Sequence, residues 1–351
     1  MSRDHLLDGL KGLAVAAVIF IHSVFWSGDL YVPAWMHGAC LWIDVPLFFF
    51  LAGWSFSKVS DPGKAWRNLW RLQWRYMTFV ALVWLGYRLA DYPLPAIRLL
   101  EWFLHDYHKV QWDDAVMGSM WFVRVYLGVS VAAIVLIWFH ARAALPVALV
   151  LVGAMYFSQL LPAADWTSGW LPIVAFGVFY LPLFLLGYCR AKGQLAWYWY
   201  ALIAVQAAWQ LLCTPDLVNA LINLQAYKFP AQSLYFSCSW LSLCVLLLLT
   251  RLPALAWLLT REPLRWLGRN AIHAFFAQGI STTLLYIPVG LLTPLHPYWL
   301  ALLVPMFALN LYCAVQIARL LKALERLVVS RVRTWLRPTS VQSPARSSSR
   351  G

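Results

Sequence analysis

The chain has 351 residues, 62% of them hydrophobic and only 12% charged, and its mean hydropathy is +0.66. Such values exclude an ordinary soluble domain and make lipid the solvent for most of the chain. The net charge of +13 would suggest a nucleic-acid partner only if a soluble basic face existed to carry it, and the apolar runs leave no room for one.

A helix rising about 1.5 Å per residue needs roughly 17–25 apolar residues to cross the hydrocarbon core. Ten stretches are candidates: 12–27, 39–57, 76–90, 119–139, 144–161, 170–188, 196–213, 234–250, 271–292 and 298–318. They are continuously apolar rather than alternating, which excludes a closed barrel. The first has Lys11 ahead of a hydrophobic run from Leu13 to Trp26, as a secretory signal would. No small-residue cleavage site follows it and the next stretch begins almost at once, so it reads as retained.

The basic residues check this count, because Lys and Arg accumulate in cytoplasmic loops. Ten spans with the N-terminus inside place 22 of the 27 Lys and Arg on the inner side and three, Arg98, Lys109 and Lys228, outside. Arg88 and Arg124 lie within or at the edge of spans. The predicted class is therefore an all-α polytopic membrane protein with about ten transmembrane helices and both termini cytoplasmic. Residues 1–336 form one membrane domain, and 337–351 form a disordered basic cytoplasmic tail, since Ser, Pro and Arg dominate there. The stretch 314–336 mixes Leu and Val with Arg319, Lys322, Arg326, Arg331 and Arg333 and reads as a basic interfacial helix.

The six cysteines are scattered without paired spacing, so they indicate neither a disulfide framework nor a zinc site. His105 and His108 share an outer loop but lack further ligands, and no metal is expected. The outer connection 91–118, with its acidic and aromatic residues, is a candidate cap over an acceptor site; 214–233 is a second polar outer segment.

Ionisable side chains inside spans are costly, so they become functional candidates. The first span contains His22, eleven residues after Lys11. Eleven steps of about 100° come within about 20° of three full turns, so both side chains share one face, roughly 16 Å apart along the axis. A cation at the cytoplasmic rim suits a phosphorylated carrier. A neutral imidazole about halfway through the bilayer suits hydroxyl deprotonation or transient acylation. Equally, Lys11 could be a positive-inside anchor and His22 a packing residue. In the second span Asp44 needs a partner, and antiparallel packing would let it orient His22; interfacial solvation is the other reading. Gly53 permits close helix contact. Arg67, Arg71 and Arg75 are spaced by four and form a stripe suited to phosphates or anionic headgroups. Arg124, inside the fourth span, should face the interior or snorkel outward.

The block Leu7-Asp8-Gly9-Leu10-Lys11-Gly12-Leu13-Ala14 through His22, followed by Phe48-Phe49-Phe50-Leu51-Ala52-Gly53, resembles the acyltransferase 3 family of integral membrane transacylases. Arg67 to Arg75, Ser119-Met120-Trp121-Phe122-Val123 and Leu267-Gly268-Arg269-Asn270-Ala271 extend the resemblance to about residue 290. In this family the pattern usually has arginine where Lys11 stands and serine where Ala52 stands. A downstream histidine is usual where this chain has Gln278, and a glutamate is common near Arg124 and Tyr126. The lysine keeps the charge and loses bidentate geometry.

The resemblance implies about ten helices and acyl-CoA as donor on the cytoplasmic face. It also implies an inward histidine as catalytic residue and a carbohydrate or lipid-linked glycan as acceptor. On this basis His22 and Asp44 are the catalytic candidates, and Lys11, Arg71 and Arg75 would bind acyl-CoA. Ser119, Trp121, Arg124 and Asn270 would contact the acceptor or support the site. The expected activity is O-acetylation of an exopolysaccharide or lipid-linked repeat unit, similar to xanthan-type gum acetylation. It would take place in the bacterial inner membrane with acetyl-CoA as co-substrate and no permanently bound cofactor. Membrane lipids and polysaccharide-assembly proteins are the further partners. The other classes are a lipid-linked glycan transporter and a polyprenyl-phosphate glycosyltransferase, for which Asp29 would be the nearest carboxylate.

Overall fold

Asp4 opens the first helix by accepting a hydrogen bond from the Leu7 amide at 3.0 Å. From there a computed structural model describes residues 4–59, 61–92, 94–104, 115–158, 171–229 and 231–335. The expected tail 337–351, and residues 93 and 105–114 of the expected cap, His105 and His108 among them, lie outside the described residues. Among the described residues regular structure is helical, apart from one isolated bridge between Lys228 and Ala231.

The helices are α1 His5–His22, α2 Ala34–Cys40, α3 Val45–Phe56, α4 Pro62–Leu89, α5 Ala96–Phe103, α6 Ala115–Gly118, α7 Trp121–His140 and α8 Ala144–Ser158. They continue with α9 Leu171–Ala191, α10 Trp197–Cys213, α11 Leu217–Ile222, α12 Ser233–Leu249, α13 Pro253–Leu259, α14 Glu262–Arg269, α15 Ala271–Leu291 and α16 Trp299–Trp335. Helices satisfy their own backbone groups, which lipid cannot do.

Among the described residues each of the ten apolar stretches contains helix, but not all of them meet the same standard. Five helical segments among the described residues are long and apolar enough to cross a bilayer: His5–Ser27, Ala34–Phe56, Val116–Phe157, Ala271–Leu291 and Pro294–Leu327. The pair α12 and α13, bent by 102°, makes a sixth if counted as one span. The rest fall short for identifiable reasons. The first half of α4 carries Lys64, Arg67, Arg71 and Arg75, α10 has 17 residues, and the apolar described part of α9 is Phe176–Ala191. Large apolar side chains such as Phe139, Leu212, Leu291 and Trp197 are exposed on the outside of the bundle, as a lipid-facing surface requires.

Glycines set the helix spacing around the centre. A Cβ at Gly9 would lie 1.9 Å from the Leu259 carbonyl oxygen, at Gly12 2.0 Å from that of Leu264, and at Gly268 1.8 Å from that of Asp8. Backbone therefore meets backbone where α1 crosses α13 and α14, and the Leu7–Gly12 and Leu267–Asn270 motifs dock on each other. Gly53 and Gly187 do the same for α3 and α9, with Cβ positions 1.8 and 1.9 Å from the Phe184 and Phe50 carbonyl oxygens.

Two irregularities matter for the site. The regular part of α1 ends at His22 and continues as one π-helical turn, Ser23–Ser27, in which Ser23 Oγ donates to the Ile19 carbonyl at 2.9 Å. The second span is broken between α2 and α3, so that Asp44 stands at the N-cap of α3 with Pro46 in the first turn behind it. The C-terminal basic stretch does not form a separate helix. It continues α16, whose Ala314 and Ala318 are buried with Val15, Ile19 and Ala274. Small residues there let α16 lie against α1 and α15, which keeps one long helix on course past the bilayer.

Candidate active site

A cavity of about 430 Å³ opens among α1, α3, α4, α7, α14, α15 and α16. Its polar rim carries Lys11, Asn68, Arg75, Arg269, Asn270, His273 and Lys322, and its apolar wall includes Phe48, Leu51, Ala52, Phe122, Phe275 and Phe276. Three sequence-predicted residues, Lys11, Arg75 and Asn270, thus meet at one cavity although they lie on α1, α4 and beside α15.

Arg75, His273, Asn270 and Lys322 are each held by a partner. Arg75 Nε pairs with Glu325 Oε1 at 2.8 Å, and the other carboxylate oxygen lies 2.7 Å from His273 Nε2. With Glu325 ionised, that imidazole nitrogen carries its proton toward the carboxylate. Lys322 Nζ donates to Asn270 Oδ1 at 2.6 Å, while Asn270 Nδ2 donates to the Trp266 carbonyl at 2.7 Å. Four cations, Lys11, Arg75, Arg269 and Lys322, stand against two carboxylates, Glu325 and the Glu262 that pairs with Arg269, which leaves the rim suited to a polyanion.

Arg71 does not join them. It is exposed and does not line the cavity. The buried residues of α4, Ala65, Leu72, Tyr76, Phe79 and Val80, centre about 120° from Arg71 but about 80° from Arg75 on a helical wheel. Spacing by four aligned the arginines with each other, but the stripe drifts, and only its Arg75 end turns inward.

His22 lies on the same face of α1 as Lys11, about 16 Å deeper. Its ring is half-buried, and Nδ1 is buried with no hydrogen-bond partner among the described residues. The π turn that follows is fixed from the far side: Asn310 Nδ2 donates to Ser23 Oγ at 2.9 Å and to Thr282 Oγ1 at 3.1 Å, and Ser281 Oγ donates to Asn310 Oδ1 at 2.5 Å. Ser23, Ser281, Thr282 and Asn310 are fully buried, so this polar knot ties α1, α15 and α16 together just past the histidine.

Asp44 takes different partners from the one its sequence position suggested. Its Oδ2 accepts from Lys228 Nζ at 2.6 Å and from Tyr235 OH at 2.7 Å rather than from the His22 ring. The physical reason is that an ammonium 184 residues away, itself buried, folds in from the segment before α12. The Lys228 ammonium also lies 5.6 Å from the Trp121 ring and 5.4 Å from that of Phe229. Trp121 further contacts Phe176 and Tyr180, with centroids 5.4 and 6.4 Å apart. Trp121 and Asp44 therefore belong to one cluster built around Lys228.

Ser119 is buried and spends its hydroxyl on the Val116 carbonyl at 3.0 Å, closing the turn ahead of α7. Arg124 is half-buried in the first turn of α7 and does not line the cavity. The residues that sequence reasoning missed are Lys228, His273, Lys322 and Glu325. Only His273 left a local signal, three residues beyond Asn270 on the next helix.

The acyltransferase domain family known as acyltransferase 3 matches residues 4–315. Comparisons with curated proteins and with solved structures return no match. The match covers the cavity-lining residues other than Lys322, and the family motifs supply its central residues: Gly9, Gly12 and Gly268 as the crossing, Lys11 and Asn270 as the rim. The chain belongs to the acyltransferase 3 family of membrane acyltransferases.

Proposed function

We propose that the protein transfers an acetyl group from cytoplasmic acetyl-CoA to a hydroxyl of an exopolysaccharide or lipid-linked repeat unit, in the manner of xanthan-type acetylation. The observation that carries this reading is the basic-rimmed cavity whose Lys11 shares a helix face with His22. In it, the phosphates of the carrier sit against Lys11, Arg75 and Lys322, and the thioester arm passes along the apolar wall toward the middle of the bundle. His22 accepts the proton of the acceptor hydroxyl as that oxygen attacks the thioester carbonyl; the carbon–sulfur bond breaks, and the leaving thiolate takes the proton back. An alternative order has His22 attack first and carry the acyl group.

The topology belongs to the same proposal: about ten crossings of a bacterial inner membrane, both termini in the cytoplasm, with the donor entering from the basic side. Two facts support it: 42 residues of Val116–Phe157 span about twice the hydrocarbon thickness, and 22 of 27 cations fall on one predicted side. Trp121, Arg124 and the aromatic groups around Lys228 face the acceptor on the opposite side.

The test is the acetyl content of the host's polysaccharide in wild-type, deletion and His22→Ala strains at equal protein level. Loss in both altered strains is expected. Full acetylation with His22→Ala would overturn the assignment, and unchanged acetylation with glycan export lost on deletion would favour a transporter instead.

A further inference from the structure

Gln278 is fully buried in α15, and neither its Nε2 nor its Oε1 has a hydrogen-bond partner among the described residues. A primary amide carries two donors and an acceptor, and leaving all of them unmet within a membrane bundle is among the costliest arrangements a side chain can adopt. The other polar groups along this part of α15 are spent. His273 pairs with Glu325, and Ser281 and Thr282 bond to Asn310.

The helix register places this amide beside the histidine. Val15 and Ile19 of α1 pack in one buried cluster with Ala274 and Ala277, and Asn310 bridges Ser23 to Thr282. The two helices therefore run parallel, and the level of His22 corresponds to α15 residues just beyond Gln278, less than about one turn away. On the wheel Gln278 lies about 40° from Ala274 and between Ser281 and Thr282, so it is on the side of α15 that meets α1 and α16. His22 likewise lies on the face of α1 that carries Val15, Val18 and Ile19. Its Nδ1 is buried without a partner too, as noted above. Two unmet polar groups at one depth, on facing sides of adjacent helices, point to a reacting group between them.

We propose that Gln278 is a catalytic residue whose Nε2–H donates to the acyl carbonyl oxygen during transfer. This deepens the acyl-transfer reading and rests on it. When the nucleophile's lone pair forms the new bond to the carbonyl carbon, the carbonyl π electrons move onto oxygen, and that oxyanion takes the amide hydrogen bond. Collapse restores the carbonyl and expels the CoA thiolate, which is protonated from His22. The same oxygen gains charge whether the attacking atom is an imidazole nitrogen or a hydroxyl oxygen. A neutral amide suits the task because it donates without adding a charge to the bundle core.

The experiment measures acetyl transfer from acetyl-CoA to a lipid-linked glycan extract by purified full-length protein in detergent. The variants are Gln278→Met, which keeps length and removes the donor, and Gln278→Asn, which keeps the amide, with wild type and His22→Ala alongside. Gln278→Met should lower kcat by about 10²–10³-fold, with KM for acetyl-CoA within about twofold of wild type. Its thermal midpoint should be unchanged or raised, because an unmet amide has been removed. Gln278→Asn should recover part of kcat. A Gln278→Met protein with kcat within threefold of wild type overturns the proposal. So does a fall in thermal midpoint with kcat per folded molecule unchanged, which would assign Gln278 to packing. Absence of transfer by wild type would instead overturn the acyl-transfer reading itself.

Discussion

Removing the Asp44 carboxylate should destabilise this protein more than removing any surface charge, and the size follows from its surroundings. The side chains of Lys228 and Asp44 are 8% and 2% exposed, at 2.6 Å, with Tyr235 adding a second bond at 2.7 Å. Asp44→Asn leaves the ammonium buried without a counter-charge, and breaking a buried pair in this way costs about 3–5 kcal/mol. At about 2 °C per kcal/mol for a chain of this size, the thermal midpoint in detergent should fall by roughly 5–10 °C. Lys228→Met should do comparable damage by leaving the carboxylate unpaired. Replacing both together, Asp44→Asn with Lys228→Met, removes both stranded charges and should return the protein to within about 1–2 kcal/mol of wild type. The assay is thermal unfolding of the four purified proteins. An Asp44→Asn protein as stable as wild type, or a double variant no better than the worse single one, would refute the reasoning. Acyl transfer by the folded double variant then reports what Asp44 does for His22 apart from holding the fold, and activity within about tenfold of wild type is expected.

Gly268→Val would push a Cβ into the Asp8 carbonyl, 1.8 Å away, and should abolish the folded protein in a detergent extract. Gly86→Ala meets nothing within 4 Å and should be neutral or stabilising by about 0.5–1 kcal/mol. Lys11→Arg should keep KM for acetyl-CoA within about threefold while Lys11→Glu raises it more than tenfold, and equal values would remove Lys11 from carrier binding. At the N-terminus burial raises the Asp4 carboxyl, but the Lys58 and Leu7 hydrogen bonds outweigh that and hold it below its usual value. A carboxyl lowered in the folded state contributes stability above pH about 4 that is lost as pH falls further. This partly exposed pair should therefore show only a small loss, under about 1 kcal/mol, between pH 5 and 3, and Asp4→Asn should remove that slope.

Much of the bundle was legible because lipid imposes simple rules: apolar length marks helices, and glycines mark where backbones touch. Gly9, Gly12 and Gly53 each fall at such contacts, and the Lys11–His22 face follows from one helix's own period. What could not be read is what distant segments bring to that face. Arg75 and Glu325 are 250 residues apart, Asp44 and Lys228 are 184 apart, and Lys228 looked like an ordinary loop cation. The inward turn of Arg75 and the outward turn of Arg71 depend on which side of α4 meets α7 and α15, and spacing alone does not fix that. The break before Asp44 and the π turn after His22 are likewise responses to tertiary packing, through Ser242 on Trp42 and Asn310 on Ser23.

The central claim is that acyl transfer passes through His22. Wild-type and His22→Ala protein, purified and reconstituted at equal amounts, can be compared for label transferred from radiolabelled acetyl-CoA to a lipid-linked glycan extract. The account predicts transfer by wild type and a loss of at least about 10²-fold in His22→Ala with an unchanged thermal midpoint. Equal transfer by both proteins would contradict it.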